Sequence, residues 1–167
     1  SARSGLRHLD EQSGINEAVI LSTCNRTEIY AVLGDGELEE GQVWEAAMYA
    51  GNYKLDNLTA FVDNNGLQID GRTCDVMNTA PVDEKAKAFG FQTISIDGHD
   101  FDAIASALDT AKTVKGQPSA IIMKTVKGKG VSFMENQASW HGSAPNDEQY
   151  AVAMAELKQQ LSDLEGM

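Results

Sequence analysis

The sequence predicts an α/β domain, a parallel sheet flanked by helices, and three observations carry that expectation. Short apolar runs alternate along the chain with segments of helical periodicity, the order that βαβ units produce. The run Ser119–Lys124 is apolar almost throughout, as a strand covered on both faces must be. The chain has 167 residues, enough for one domain with a sizeable core.

The elements follow in order. Ala18–Leu21 and Ile29–Leu33 read as strands. The segment between them is too short for a crossover helix, so the pair is antiparallel or lies in different layers. A helix is predicted from about Glu40 to Lys54. Val43, Ala47, Ala50 and Lys54 define one stripe on it, and Trp44, Met48 and Gly51 the next. With so many small residues, this helix is expected to be buried on most sides. Strand Leu58–Val62 follows. Pro81 suits the first position of a helix over 81–89, on which Val82, Ala86 and Phe89 share a face and Gly90 provides the stop. Gln92–Ile96 alternates as a strand. A helix from about Asp102 to Val114 is expected to bury Ile104, Ala105, Leu108 and Ala111. Ser119–Lys124 is then the central strand. Residues 125–145 form a loop of a length that is usually functional or disordered inside a compact domain. The last helix starts at Asn146, with Gln149 placed to close a capping box. Tyr150, Met154, Leu157, Leu161 and Leu164 form an apolar seam along it.

The most informative feature is Gly34-Asp35-Gly36 at the end of the run 29–33, paired with Asn65 just past the run 58–62. In an open α/β sheet, ligands bind at the C-terminal strand edge. A carboxylate and an amide oxygen placed there can hold a hard divalent ion whose remaining positions go to water and phosphate. Glycines beside the aspartate let backbone amides approach a phosphate closely. Together these residues read as a magnesium–diphosphate clamp. Taken alone, Asp-Gly marks a tight turn, and the longer string around it decides between the two.

Residues 34–71 read GDGELEEGQVWEAAMYAGNYKLDNLTAFVDNNGLQIDG. This string resembles the thiamin-diphosphate signature of transketolases; the pyruvate-dehydrogenase type lacks the KLDNL and the Leu67–Gly71 tail in this form. The string TVKGKGVSFMENQASWHGSAPNDEQY at 125–150 is similar to transketolases of the bacterial kind with a divided gene. The resemblance implies a thiamin-diphosphate-binding fold with thiamin diphosphate and Mg2+ as cofactors. It implies Asp35 and Asn65 as metal ligands, with the backbone carbonyl of Leu67 as the third. Gly34, Gly36 and Glu37 would lie against the diphosphate, Gly36 and Glu37 through their amides. His141, within Trp140-His141-Gly142-Ser143, matches the family histidine that reaches the cofactor phosphates and the reacting substrate oxygen. Glu40 and Glu45 match acids near the dimer interface that link two active sites, although acids in a first helical turn also complement the helix dipole. Lys127 and Lys129 suit phosphorylated sugars or, equally, a solvated loop. His99 reads as a turn and capping element, and Cys74 has no evident partner.

The activity implied is transfer of a two-carbon ketol unit from a ketose phosphate to an aldose phosphate. The acid that activates the cofactor's pyrimidine ring belongs to a second domain or subunit in this family, usually across a homodimer interface. Without it, this chain alone is expected to be inactive.

The first 32 residues depart from the pattern. Residues 15–32, INEAVILSTCNRTEIYAV, resemble glutamyl-tRNA reductase around its nucleophilic cysteine, here Cys24. The expected division is therefore a reductase-like strand pair over 1–32 and a transketolase-type domain over 33–167. That domain is expected to be incomplete at its N-terminus, because the family's substrate-contacting histidines and GSLGQG-type glycine loop do not precede it. Ile29–Leu33 is expected to serve as the strand that leads into the GDG turn. Two rival functions remain: a folded but catalytically inactive recombinant domain, or a thiol acyl-transfer fragment using Cys24. Arg26 could lower the thiol's pKa, and the alternative is an inert thiol.

A net charge of −12 argues against nucleic acid as a partner, since phosphate neutralisation needs clustered Lys and Arg. No stretch approaches the ~20 apolar residues of a membrane span, and no signal peptide is visible. Two cysteines make no disulfide framework, so the cytoplasm is the simplest compartment.

Overall fold

The computed structural model describes the backbone of residues 17–22 and all of residues 27–166. In chain order the elements are β1 (Glu17–Ser22), β2 (Thr27–Gly34), a 3-10 turn (Glu37–Glu39), α1 (Gly41–Asn52) and β3 (Leu58–Asn64). A small antiparallel hairpin of β4 (Leu67–Gln68) and β5 (Gly71–Arg72) comes next, then α2 (Thr73–Val76) and α3 (Val82–Ala88). They are followed by β6 (Gln92–Asp97), α4 (Phe101–Thr113), β7 (Ser119–Lys124), a 3-10 turn (Ala138–Trp140) and α5 (Asp147–Glu165).

The main sheet has the order β1-β2-β3-β7-β6. β2, β3, β7 and β6 run parallel, while β1 pairs antiparallel to β2. The predicted α/β class with a parallel sheet is thus observed. β7 lies between β3 and β6, and its first four residues are buried, which is why its sequence is apolar without alternation. β2 runs unbroken through the expected boundary at residues 32–33. It pairs with β3 from Ile29 opposite Leu58 to Gly34 opposite Asp63, so Ile29–Leu33 does lead into the GDG turn.

Helices cover both faces. On one, α1 and α3 pack Trp44, Ala50, Val82 and Phe89 against Val62, Ala120 and Ile122. Trp44 and Phe89 stack with ring centroids 5.4 Å apart. On the other face, α4 sets Ala107 and Ala111 against Ile121, which is 0% exposed.

Three helix faces differ from expectation. α1 is not buried on most sides: Val43, Trp44, Ala47 and Ala50 turn to the core, while Met48 of one predicted stripe and Lys54 of the other are exposed, because the sheet covers only one side of the helix. α4 buries Ala107 where Ala105 was expected, and Ala105 faces outward. On α5 the predicted seam does not face a core. Tyr150, Leu157, Leu161 and Leu164 are exposed, and Ala153 is the buried residue. α5 instead leans on the loop 125–145. Ser132 N–H donates to the Glu156 carboxylate at 2.7 Å, and Gln160 Nε2 donates to the Gly130 carbonyl at 2.7 Å. Its capping box forms as the Asn146 and Gln149 pattern predicts.

Candidate functional site

Register places the site. Gly34 lies opposite Asp63 in the sheet, Asn64 opposite Lys124, and Asp97 opposite Lys124. The C-terminal ends of four parallel strands therefore form one edge. Asp35, Asn65 and Thr125 are the first residues beyond three of them.

Asp35, the first residue beyond β2, is 1% exposed. Its N–H continues the ladder to the Asp63 carbonyl at 3.0 Å. Its Oδ2 accepts from Gly66 N–H at 2.7 Å, while Oδ1 is buried without a hydrogen-bond partner. Burial pushes the carboxyl above its ordinary range; the Gly66 N–H acts against this, and the negative charge of Asp63 adds to it. A buried carboxylate oxygen with no partner is costly unless something positive meets it.

Asn65 stands beside it. Its Oδ1 accepts from Leu67 N–H at 2.9 Å, and its Nδ2 donates to Asp63 Oδ2 at 3.2 Å. Asp35 and Asn65 thus both bind the backbone of the Gly66–Leu67 turn. A Cβ at Gly36 would sit 2.9 Å from Gln68 Cβ, so only glycine lets the hairpin approach the GDG turn this closely.

A cleft of about 770 Å³ opens at this strand edge, and the buried Asp35 is not itself among the residues that line it. Gly34, Gly36, Glu37, Glu40, Asn65, Leu67 and His141 all line it. Gly34 N–H is taken by Glu37 Oε2 at 2.6 Å. Glu45 is exposed on α1 and does not line the cleft, so the structure separates it from Glu40.

Three contributors escaped the sequence pattern. Asp63 and Gln68 line the cleft. Thr125 donates its hydroxyl to Asp63 Oδ1. Lys127, left open between sugar phosphate and solvent, lines the cleft with Nζ 3.4 Å from His141 Nδ1, whereas Lys129 is not among the lining residues. His99 supports this loop rather than capping a helix: its Nε2 accepts from Val126 N–H at 2.8 Å, while Asp100 caps α4. The signal available for Asp63 was its place at the end of β3, two residues before Asn65.

The chemistry is polarised. The carboxylates of Glu37, Glu40 and Asp63 share the cleft with the ammonium of Lys127 and the imidazole of His141. That mixture suits a divalent cation together with phosphate oxygens. Among the described residues no group of three or more His, Cys, Asp or Glu could hold a metal by itself. One carboxylate, one amide and a backbone carbonyl leave the remaining positions to phosphate and water, as magnesium sites commonly do. The donor set fits magnesium bound together with a diphosphate. Cys24 lies outside the described residues.

The profile of the family described as transketolase, thiamine diphosphate binding domain, matches residues 18–162. The chain is 47% identical over 132 residues to the 6-deoxy-6-sulfo-D-fructose transketolase subunit SqwG of a Clostridium species, covering 79% of this chain and 48% of that protein. It is 42% identical to an apulose-4-phosphate transketolase subunit from Actinobacillus succinogenes, covering 80% and 48%. The crystal structure of transketolase from Campylobacter jejuni superposes with a TM-score of 0.72 at 37% identity, covering 77% of this chain and 20% of that one. The chain thus spans about half the length of the two bacterial relatives from Clostridium and Actinobacillus.

Proposed function

The chain belongs to the transketolase family, and on that premise we propose that it forms the metal-and-diphosphate side of a transferase that moves a two-carbon ketol unit between sugar phosphates. Thiamin diphosphate is the cofactor the matched family domain binds, and Mg2+ is the ion we propose with it. When bound, the thiamin ring supplies the nucleophilic carbon and electron sink that carbon–carbon cleavage needs.

The chain's own residues bind and orient. Asp35, Asn65 and the carbonyl of Leu67 hold the metal. Gly36 and Glu37 turn amides toward the diphosphate, and Gly34 keeps the turn tight by donating to Glu37. His141 donates to the phosphates and to the reacting substrate oxygen, with Lys127 beside it as a second cationic donor. Glu40, at the cleft, and Glu45, on the outer face of α1, approach a homo-oligomer interface. A pyrimidine-binding domain or subunit completes the site, and residues 1–167 without it do not turn over. We place the reaction in the cytoplasm; no helix among the described residues is long and apolar enough to cross a membrane. Residues 1–32 keep their proposed reductase-like origin, with β2 giving the domain its strand into the GDG turn.

One observation carries the proposal: the partnerless, buried Oδ1 of Asp35 beside Asn65 at the strand edge. The test is calorimetric titration of thiamin diphosphate into residues 1–167 and into Asp35→Ala, each with and without Mg2+. Binding should be weak, in the high-micromolar range, and dependent on both Mg2+ and Asp35. Each charge-assisted hydrogen bond that a partner domain would add contributes about 1.5–3 kcal/mol. Binding indifferent to Asp35→Ala would overturn the proposed site, and sub-micromolar binding would show that the cradle needs no second side.

A further inference from the structure

An asparagine amide has two ends of nearly equal size, one an acceptor and the other a donor, and only its hydrogen bonds decide which end faces a site. At Asn65 the choice matters, because a hard cation takes the oxygen and is repelled by the NH2 group. Two groups set it. Leu67 N–H meets Oδ1 at 2.9 Å, and Asp63 Oδ2 accepts from Nδ2 at 3.2 Å. Reversed, the amide would place oxygen against carboxylate and NH2 against N–H. Asp63 is itself held, since its other oxygen accepts the Thr125 hydroxyl. The chain of contacts runs from the end of β7 through the end of β3 to the cleft, across residues far apart in sequence that register brings together.

We propose that Asp63, braced by Thr125, is a positioning residue that fixes the Asn65 amide with its oxygen available to the metal. The inference rests on the metal site proposed above, but it concerns a carboxylate whose two oxygens are already engaged by Asn65 and Thr125. Removing an outer partner of a metal ligand typically weakens metal affinity by about 10–100-fold. The carboxylate charge of Asp63 would also attract a cation, so charge and orientation must be separated. Thr125 allows this: Thr125→Val deletes the brace and changes no charge, while Thr125→Ser keeps the hydroxyl.

The experiment is a titration of the whole chain with Mn2+ alone, followed by water-proton relaxation enhancement, with a melting curve for each variant. Asp63→Asn should weaken Mn2+ affinity by about 10–100-fold. Thr125→Val should weaken it by about 10-fold, near the lower end of that range, and Thr125→Ser should bind like the wild type. If Asp35→Asn abolishes binding while Asp63→Asn and Thr125→Val bind like the wild type, the positioning role is overturned and the metal site stands. If the wild type gives no enhancement, or Asp35→Asn leaves it unchanged, both fall. A fall in melting temperature with no change in affinity assigns Asp63 to the fold alone and also overturns the role. Should Asp63→Asn not fold, the Thr125 pair decides.

Discussion

Asp35 holds a carboxyl group whose burial favours the protonated form, with the nearby Asp63 charge acting in the same direction. The metal-free fold therefore binds this proton more tightly than the unfolded chain does. Between the ordinary aspartate value and the raised one, stability falls as pH rises; below the ordinary value no penalty remains. Asp35→Asn removes the penalty. Without metal, at neutral pH, the variant should melt at a higher temperature than the wild type, and the gap should close toward pH ~4. Melting curves in chelator at both pH values check this. Adding Mg2+ and thiamin diphosphate should raise the wild-type melting temperature and leave the variant unmoved.

Much of the site is local, and so was legible. Asp35, Gly36, Asn65 and Leu67 come within one string, and the strand-edge argument needs only the runs before them. Asp63 and Thr125 meet only through strand register, which no spacing in the sequence reveals. Glu45, matched through the family resemblance to an acid near the dimer interface, is exposed on α1 and does not line the cleft.

At the scale of elements, every predicted strand and helix forms, with ends shifted by a residue or two, as cap geometry allows. What periodicity could not give was how many neighbours each face meets. α1 has apolar stripes enough for burial on two sides, yet one sheet covers it. The hairpin of β4 and β5 went unseen because two-residue strands carry no alternation; only the turn signal of Asp70-Gly71 was present. Helix-to-helix contact adds a sharp constraint at Gly51, where a Cβ would overlap the Phe89 carbonyl oxygen at the end of α3. Gly51→Ala should therefore destabilise the domain by about 1–3 kcal/mol, despite alanine's better helix propensity. Urea denaturation measures it, and an unchanged midpoint would mean that α1 and α3 can move apart freely.

Across the whole molecule, the site lies where one sheet edge, one hairpin and one long loop converge, so the loop completes what the strands begin. Large apolar side chains are exposed on several sides: Met48, Tyr49 and Tyr53 near α1, and Leu161 and Leu164 on α5, the last 69% exposed. Such surfaces accord with the proposed homo-oligomer and partner domain. Light scattering should accordingly find a mass above the 18.0 kDa of one chain, and a monomer at every concentration would count against the homo-oligomer.

The central claim is that Asp35 and Asn65 share one divalent ion at the strand edge. Crystals grown with Mn2+ and thiamin diphosphate, measured for anomalous scattering, test it most directly. The expected result is a single manganese peak within about 2.1–2.3 Å of Asp35 Oδ1 and Asn65 Oδ1, the range for a hard cation on oxygen ligands, with a diphosphate oxygen on the same ion. Cofactor density in the cleft with manganese elsewhere, or with Asp35 Oδ1 facing no cation, would contradict it.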